Sequence, residues 1–135
     1  MDIHQSLKRI LQSEDIFGKA FYEVFFERCP QAAQYFEGTN MHRQELMVTM
    51  ALNLVVQYYS NGYSSVEQYL QHLGTRHHDH SVPPELYPHW RDAMLATMEK
   101  FHEDDWNEEL AEHWRTAIDA VVKPMMRGYD RRLGA

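Results

Sequence analysis

A chain of 135 residues is about one domain, long enough to bury a core but too short to carry a second, catalytic domain beside it. With 44% hydrophobic and 24% charged residues it reads as a soluble globular protein, and a net charge of −7 argues against nucleic acid or an anionic membrane as main partner. Its single cysteine, Cys29, excludes an internal disulfide and Cys-rich metal sites, and fits a reducing compartment.

The N-terminus shows neither the basic start nor the apolar core of a secretory signal. The longest apolar stretch, Met47 to Val56, is interrupted by Thr49 and Asn53 and is too short to span a bilayer. The expectation is a cytoplasmic protein.

The hydrophobic period is helical nearly throughout, which predicts an all-α protein. A first helix is expected over about Asp2–Gln12 and a second over Glu14–Arg28, with Phe17, Ala20, Phe21, Val24 and Phe25 on one side. Pro30 suits the first turn of a new short segment, and Glu37-Gly38-Thr39-Asn40 carries loop chemistry. A long helix to about Tyr59 follows, its apolar face formed by Met47, Val48, Ala51, Leu52, Leu54 and Val55.

Asn61-Gly62 should end that helix, and Ser64 or Ser65 could cap the next, which carries Val66, Tyr69, Leu70 and Leu73 toward His77. Val82-Pro83-Pro84 is a stiff connection. Leu86, Trp90, Met94, Met98 and Phe101 are spaced for a further helix, as are Trp106, Leu110, Trp114, Ile118, Val121, Val122 and Met125. Pro124 should kink the last helix or divide off its final turn. Arg127, Arg131 and Arg132 suit a helix C-terminus, and the run Glu103-Asp104-Asp105 with Glu108, Glu109 and Glu112 suits a solvated helix start. No internal repeat or second-domain boundary is visible.

Four pieces, in order and at compatible separations, carry a resemblance that covers nearly the whole chain. Phe21-Tyr22, Phe26, Pro30 and Phe36 form the first. Met41, Gln44 and Val48 form the second. Leu73-Gly74-Thr75-Arg76-His77 with Val82 forms the third, and Trp114 in the last helix is the fourth. Together they resemble the globin superfamily, in particular bacterial single-domain globins and the haem domains of flavohaemoglobins, with a globin sensor domain as a related possibility. The resemblance implies a globin-like fold of about six to eight helices, residues 1–135 forming one globin domain around haem b.

In that frame His77 is the proximal iron ligand, its second ring nitrogen donating to a carbonyl near Leu73 or to a nearby side chain. Tyr22 and Gln44 are the distal donors, with Val48, Phe21 and Trp90 around the ligand pocket and Trp90 narrowing its back. Phe36, Val48, Leu52, Leu73, Val82 and Tyr87 would wall the haem, and Met94 packs nearby. A phenol donor to a diatomic ligand carrying partial negative charge stabilises it by roughly 1.5–3 kcal/mol, on the order of tenfold to a hundredfold in release rate. Each residue also has an ordinary explanation: His77 as a surface histidine in Arg76-His77-His78-Asp79-His80, Gln44 as a polar helix residue, the apolar set as plain core.

The implied function is reversible binding of O2, CO and NO at a five-coordinate haem, as carrier or as gas sensor with an output domain. Nitric oxide dioxygenase activity with a separate reductase is an alternative, as is a haem-less interaction module. Flavohaemoglobins place a tyrosine and a glutamate around the proximal histidine. Tyr87 matches the tyrosine, but Tyr129 followed by Asp130 stands where the glutamate should be.

Three further possibilities are weaker. Glu99 and His102 have the Glu-x-x-His spacing of di-iron bundles, without a second copy. His77, His78 and His80 could form at most an adventitious surface metal site. Met41, His42, Met47 and Met94 are candidates for an internal sixth ligand, with His42 expected to point outward.

Overall fold

A computed structural model describes residues 1–133 of the chain, with side chains through residue 131. Arg132 therefore lies outside the described side chains. Among the described residues there are six α-helices, two short 3₁₀ segments and no strand.

Helix α1 (Ile3–Leu11) starts at a capping box: the Asp2 carboxylate accepts from the Gln5 amide at 2.8 Å, and the Gln5 side chain accepts from the Asp2 amide at 2.9 Å. Helix α2 spans Ile16–Arg28, two residues later than expected at its start, because Glu14 adopts a left-handed φ of 56° that no helix can include. Cys29, which is buried, ends α2, and Pro30 opens a 3₁₀ segment running to Phe36.

Helix α3 (Met41–Asn61) is capped by the Asn40 side chain, which accepts from the Arg43 amide, and stops at Gly62 with φ 64°. Helix α4 (Ser64–Asp79) begins at Ser64 itself and has Tyr63 at its N-cap, so neither Ser64 nor Ser65 makes the capping bond expected of them. Helix α5 is Leu86–His102. A 3₁₀ turn, Glu103–Asp105, precedes α6 (Glu108–Leu133). Trp106 falls in the connection before α6 rather than within it, and the Asn107 side chain caps the helix by accepting from the Leu110 amide at 2.8 Å. Pro124 is buried inside α6 and does not divide it.

The core is built from Phe17, Phe21 and Phe25 of α2, Leu52, Val55 and Val56 of α3, Ala93, Met94 and Met98 of α5, and Leu110, Trp114 and Ile118 of α6. Two residues assigned to inward faces are instead exposed: Met47 (53%) and Tyr69 (49%). Helical geometry explains both. The buried stripe of α3 runs through Val48, Leu52 and Val55, and that of α4 through Leu70 and Gly74. A residue one position off such a stripe is rotated by about 100° around the axis.

Helix α6 packs extensively on α4 and also on α3 and α5, while α2 packs on α5 and α3. Helices α3 and α4, consecutive in the chain, make little contact with each other. The half-buried Phe36, Met41, Leu73, Leu86, Tyr87 and Trp90 pack against the edge of the core.

Candidate functional site

One cluster of polar and aromatic groups is set by the crossing of α2 and α3. A Cβ at Gly18 would run into the Glu45 carbonyl, so a glycine there lets the two backbones touch. One turn beyond Gly18 stands Tyr22, and beside Glu45 stands Gln44. The approach brings the Gln44 amide nitrogen to 3.0 Å from the Tyr22 hydroxyl, to which it donates.

Burial pushes the Tyr22 phenol up to about 12, the Gln44 bond partly opposing and the Glu45 charge adding to the rise. It therefore stays protonated at neutral pH. Having accepted from Gln44, the hydroxyl keeps its proton to give, and it makes no other hydrogen bond among the described residues.

Aromatic rings hold Tyr22 in place: Phe21 at 4.9 Å, Phe36 at 5.4 Å and Phe26 at 5.6 Å between centroids. Trp90 reaches this cluster from α5, its ring 5.6 Å from that of Phe21. Val48 and Leu52, four and eight residues after Gln44, lie buried on the same helical face.

A second cluster forms on α4 and α5. Leu73 and His77, at i and i+4, share a stripe about 60° around the axis from the Leu70–Gly74 stripe that packs on α6. One face of α4 is thus bound to α6 while the next presents His77. The His77 Nδ1–H donates to the Leu73 carbonyl at 2.7 Å, which fixes the tautomer: Nε2 carries the lone pair and has no hydrogen-bond partner among the described residues. Burial lowers the pKa of His77, with nearby His80 and Arg76 in the same sense and the Leu73 bond opposing. The ring is neutral near pH 7.

Tyr87 lies 6.2 Å from the His77 ring and 6.3 Å from that of Tyr129, and burial holds its phenol well above the ordinary value. Its hydroxyl is buried beside that of Tyr129, which donates to the Val82 carbonyl at 2.6 Å. Leu73 and Val82 are half-buried beside this cluster.

The remaining candidates separate. Glu99 is exposed, whereas His102 is buried with Nε2 at 2.6 Å from the Ser6 hydroxyl, which in turn accepts from the Trp114 indole N–H at 2.9 Å. His42 faces solvent 3.9 Å from Asp15, and Met94 is fully buried in the core. No group of three or more His, Cys, Asp or Glu side chains is arranged to hold a metal ion among the described residues. No helix there is long and apolar enough to cross a membrane. A surface depression of about 510 Å³, lined by Arg28, Glu99, Trp106 and Arg115 among others, shares no residue with either cluster.

An all-α chain with sparse contact between its third and fourth helices, and a neutral imidazole nitrogen left without a protein partner, is compatible with a haem-pocket fold. The globin family model matches residues 19–125, and the chain belongs to the globin family. No curated protein matches the chain. The side chains fit the haem that membership of this family implies: one partnerless imidazole nitrogen, half-buried apolar walls, and a hydroxyl–amide pair held on a different pair of helices.

Sequence reasoning singled out His77, Tyr22, Gln44 and Tyr87. It missed the three backbone crossings at Gly18, Gly74 and Gly128, and the Ser6–His102–Trp114 bonds. A glycine inside a helical period is a visible signal, but its crossing partner is not.

Proposed function

We propose that residues 1–135 form a single globin domain of the bacterial single-domain type that binds haem b and takes up O2, CO and NO reversibly. When bound, haem supplies the iron that coordinates a diatomic gas. His77 offers Nε2 as the one protein ligand, oriented by its Nδ1–H bond to Leu73. Phe36, Val48, Leu52, Leu73, Val82 and Tyr87 wall the porphyrin and keep water from the iron. Tyr22 donates its free proton to the ligand, and Gln44 holds the phenol in place. Phe21 and Trp90 bound the back of the distal space.

The observation that carries this reading is the Tyr22–Gln44 pair: a protonated phenol, buried, bonded on its acceptor side and free on its donor side. A carrier or sensor role is favoured over nitric oxide dioxygenase by Tyr129, whose hydroxyl is spent on the Val82 carbonyl where flavohaemoglobins place a carboxylate. A cytoplasmic location belongs to the same reading, as do a reductase or an output domain as possible partners.

The test is an optical titration with hemin, followed by reduction and exposure to air and CO, on the wild type and His77→Ala. Stoichiometric uptake, a five-coordinate ferrous spectrum and stable gas adducts are expected, with the spectrum altered in the variant. Absence of stoichiometric uptake would overturn this reading in favour of a haem-less interaction module.

A further inference from the structure

Among the residues of α4 only Leu70 and Gly74 are buried, so apolar area alone does little to hold this helix. What holds it is close approach to α6. A Cβ at Gly74 would collide with the Met125 carbonyl, and a Cβ at Gly128 with the Gln71 carbonyl. Each helix thus supplies one glycine and, three residues before it, the carbonyl that meets the other's glycine. The glycine Cα–H that stands in place of each Cβ faces that carbonyl, a weak polar contact that recurs where helices pack closely.

Two further ties lie on the same side. The Thr75 hydroxyl, 3.2 Å from the Gln71 carbonyl of its own helix, also donates to the Gly128 carbonyl at 3.0 Å. Arg127 pairs with Glu67 near the start of α4. Along α4 these ties run from Glu67 to Thr75, about two turns of helix. The turn that follows α4, with Ser81 at φ 60°, lies beyond them. None of them uses Leu73 or His77, and α4 makes little contact with α3. The position of α4 is therefore set from the α6 side, by groups that do not belong to the stripe presenting His77.

We propose that α4 is docked on α6 in the haem-free chain, so that His77 stands in place before haem binds. The inference rests on the haem reading for what His77 awaits, and on the α4–α6 contacts for the docking itself. Docking in advance removes the cost of ordering that helix from haem binding, which raises affinity without any further contact to the ligand.

The test is hydrogen–deuterium exchange, read by mass spectrometry on the full chain, haem-free and hemin-loaded, for wild type, Gly128→Ala and Thr75→Val. In the haem-free wild type the amides of α4 should exchange as slowly as those of the facing part of α6, and hemin should slow them by less than about threefold. Gly128→Ala, which forces the Gln71 carbonyl away, should speed haem-free exchange in α4 by about tenfold or more, and hemin should reverse most of that. Thr75→Val keeps the side-chain volume and removes one bond between the helices. Exchange roughly twofold to tenfold faster is expected there, the range of a single hydrogen bond. This variant decides the matter if Gly128→Ala fails to fold. A haem-free α4 that exchanges like an open chain and slows only with hemin would overturn the proposal, as would unchanged exchange in every variant that folds. If the wild type takes up no hemin, the haem reading falls, while the haem-free exchange of α4 still decides the docking by itself.

Discussion

In one half of the molecule, α2 and α3 touch at Gly18 and Glu45 and leave their work to two side chains, Tyr22 and Gln44. In the other, α4 and α6 touch at Gly74 and Gly128, and the groups that hold His77 are almost all backbone: the carbonyls of Leu73, Gly128 and Val82. A side-chain device can be altered one atom at a time without disturbing the fold. A device built from carbonyls cannot be separated from the packing that places them.

The largest effect should come from breaking the backbone side. A Cβ at Gly74 would meet the Met125 carbonyl, so Gly74→Val should force α4 off α6, at a cost of roughly 3 kcal/mol, and impair haem uptake as well. Chemical denaturation of the apo protein and hemin titration measure the two consequences. Retained stability would mean the close crossing is not needed.

The side-chain half should behave in the opposite way. Tyr22→Phe removes one hydroxyl at the end of a well-packed ring, and oxygen release should accelerate by roughly tenfold to a hundredfold while stability changes little. Stopped-flow release kinetics check this. A stability loss with unchanged kinetics would reverse the comparison.

An intermediate effect sits outside both halves. Burial, together with the Arg9 charge and against that of Asp105, lowers the pKa of His102 to about 4, below its ordinary value. The unfolded chain therefore takes up this proton first as pH falls. The contribution of His102 to stability is fully present above about pH 6.5 and lost progressively toward pH 4, on the order of 1–3 kcal/mol. Denaturation at a series of pH values should show that slope, flattened in His102→Gln.

The smallest effect sharpens the account of the proximal turn. Ser81 holds a left-handed conformation that glycine adopts freely, so Ser81→Gly should raise stability by about 1 kcal/mol with oxygen release unchanged. Thermal melts and release rates on the same preparation measure both.

The helices were legible because each carries a long apolar stripe, and His77, Tyr22, Gln44 and Phe36 stood out through their order along the chain. What escaped was set by backbone conformation or by distant contact. Glu14 at positive φ delayed α2, and nothing in its side chain announces that. Met47 and Tyr69 were read inward because hydrophobicity does not say which of two adjacent stripes a helix will bury. The absence of a glutamate near the end of α6 was visible, yet the bond Tyr129 makes to Val82 depends on a turn whose shape the residues Ser81-Val82-Pro83 do not advertise.

The buried trio of Ser6, His102 and Trp114 joins α1 to residues 96 and 108 positions away. Closing loops of that length is entropically expensive until the intervening helices have docked. Helix α1 should therefore be the last element to join during folding and the first to leave. Its amides should exchange with solvent through a partial opening that leaves α4 and α6 protected, separating the order of assembly from the order of elements along the chain.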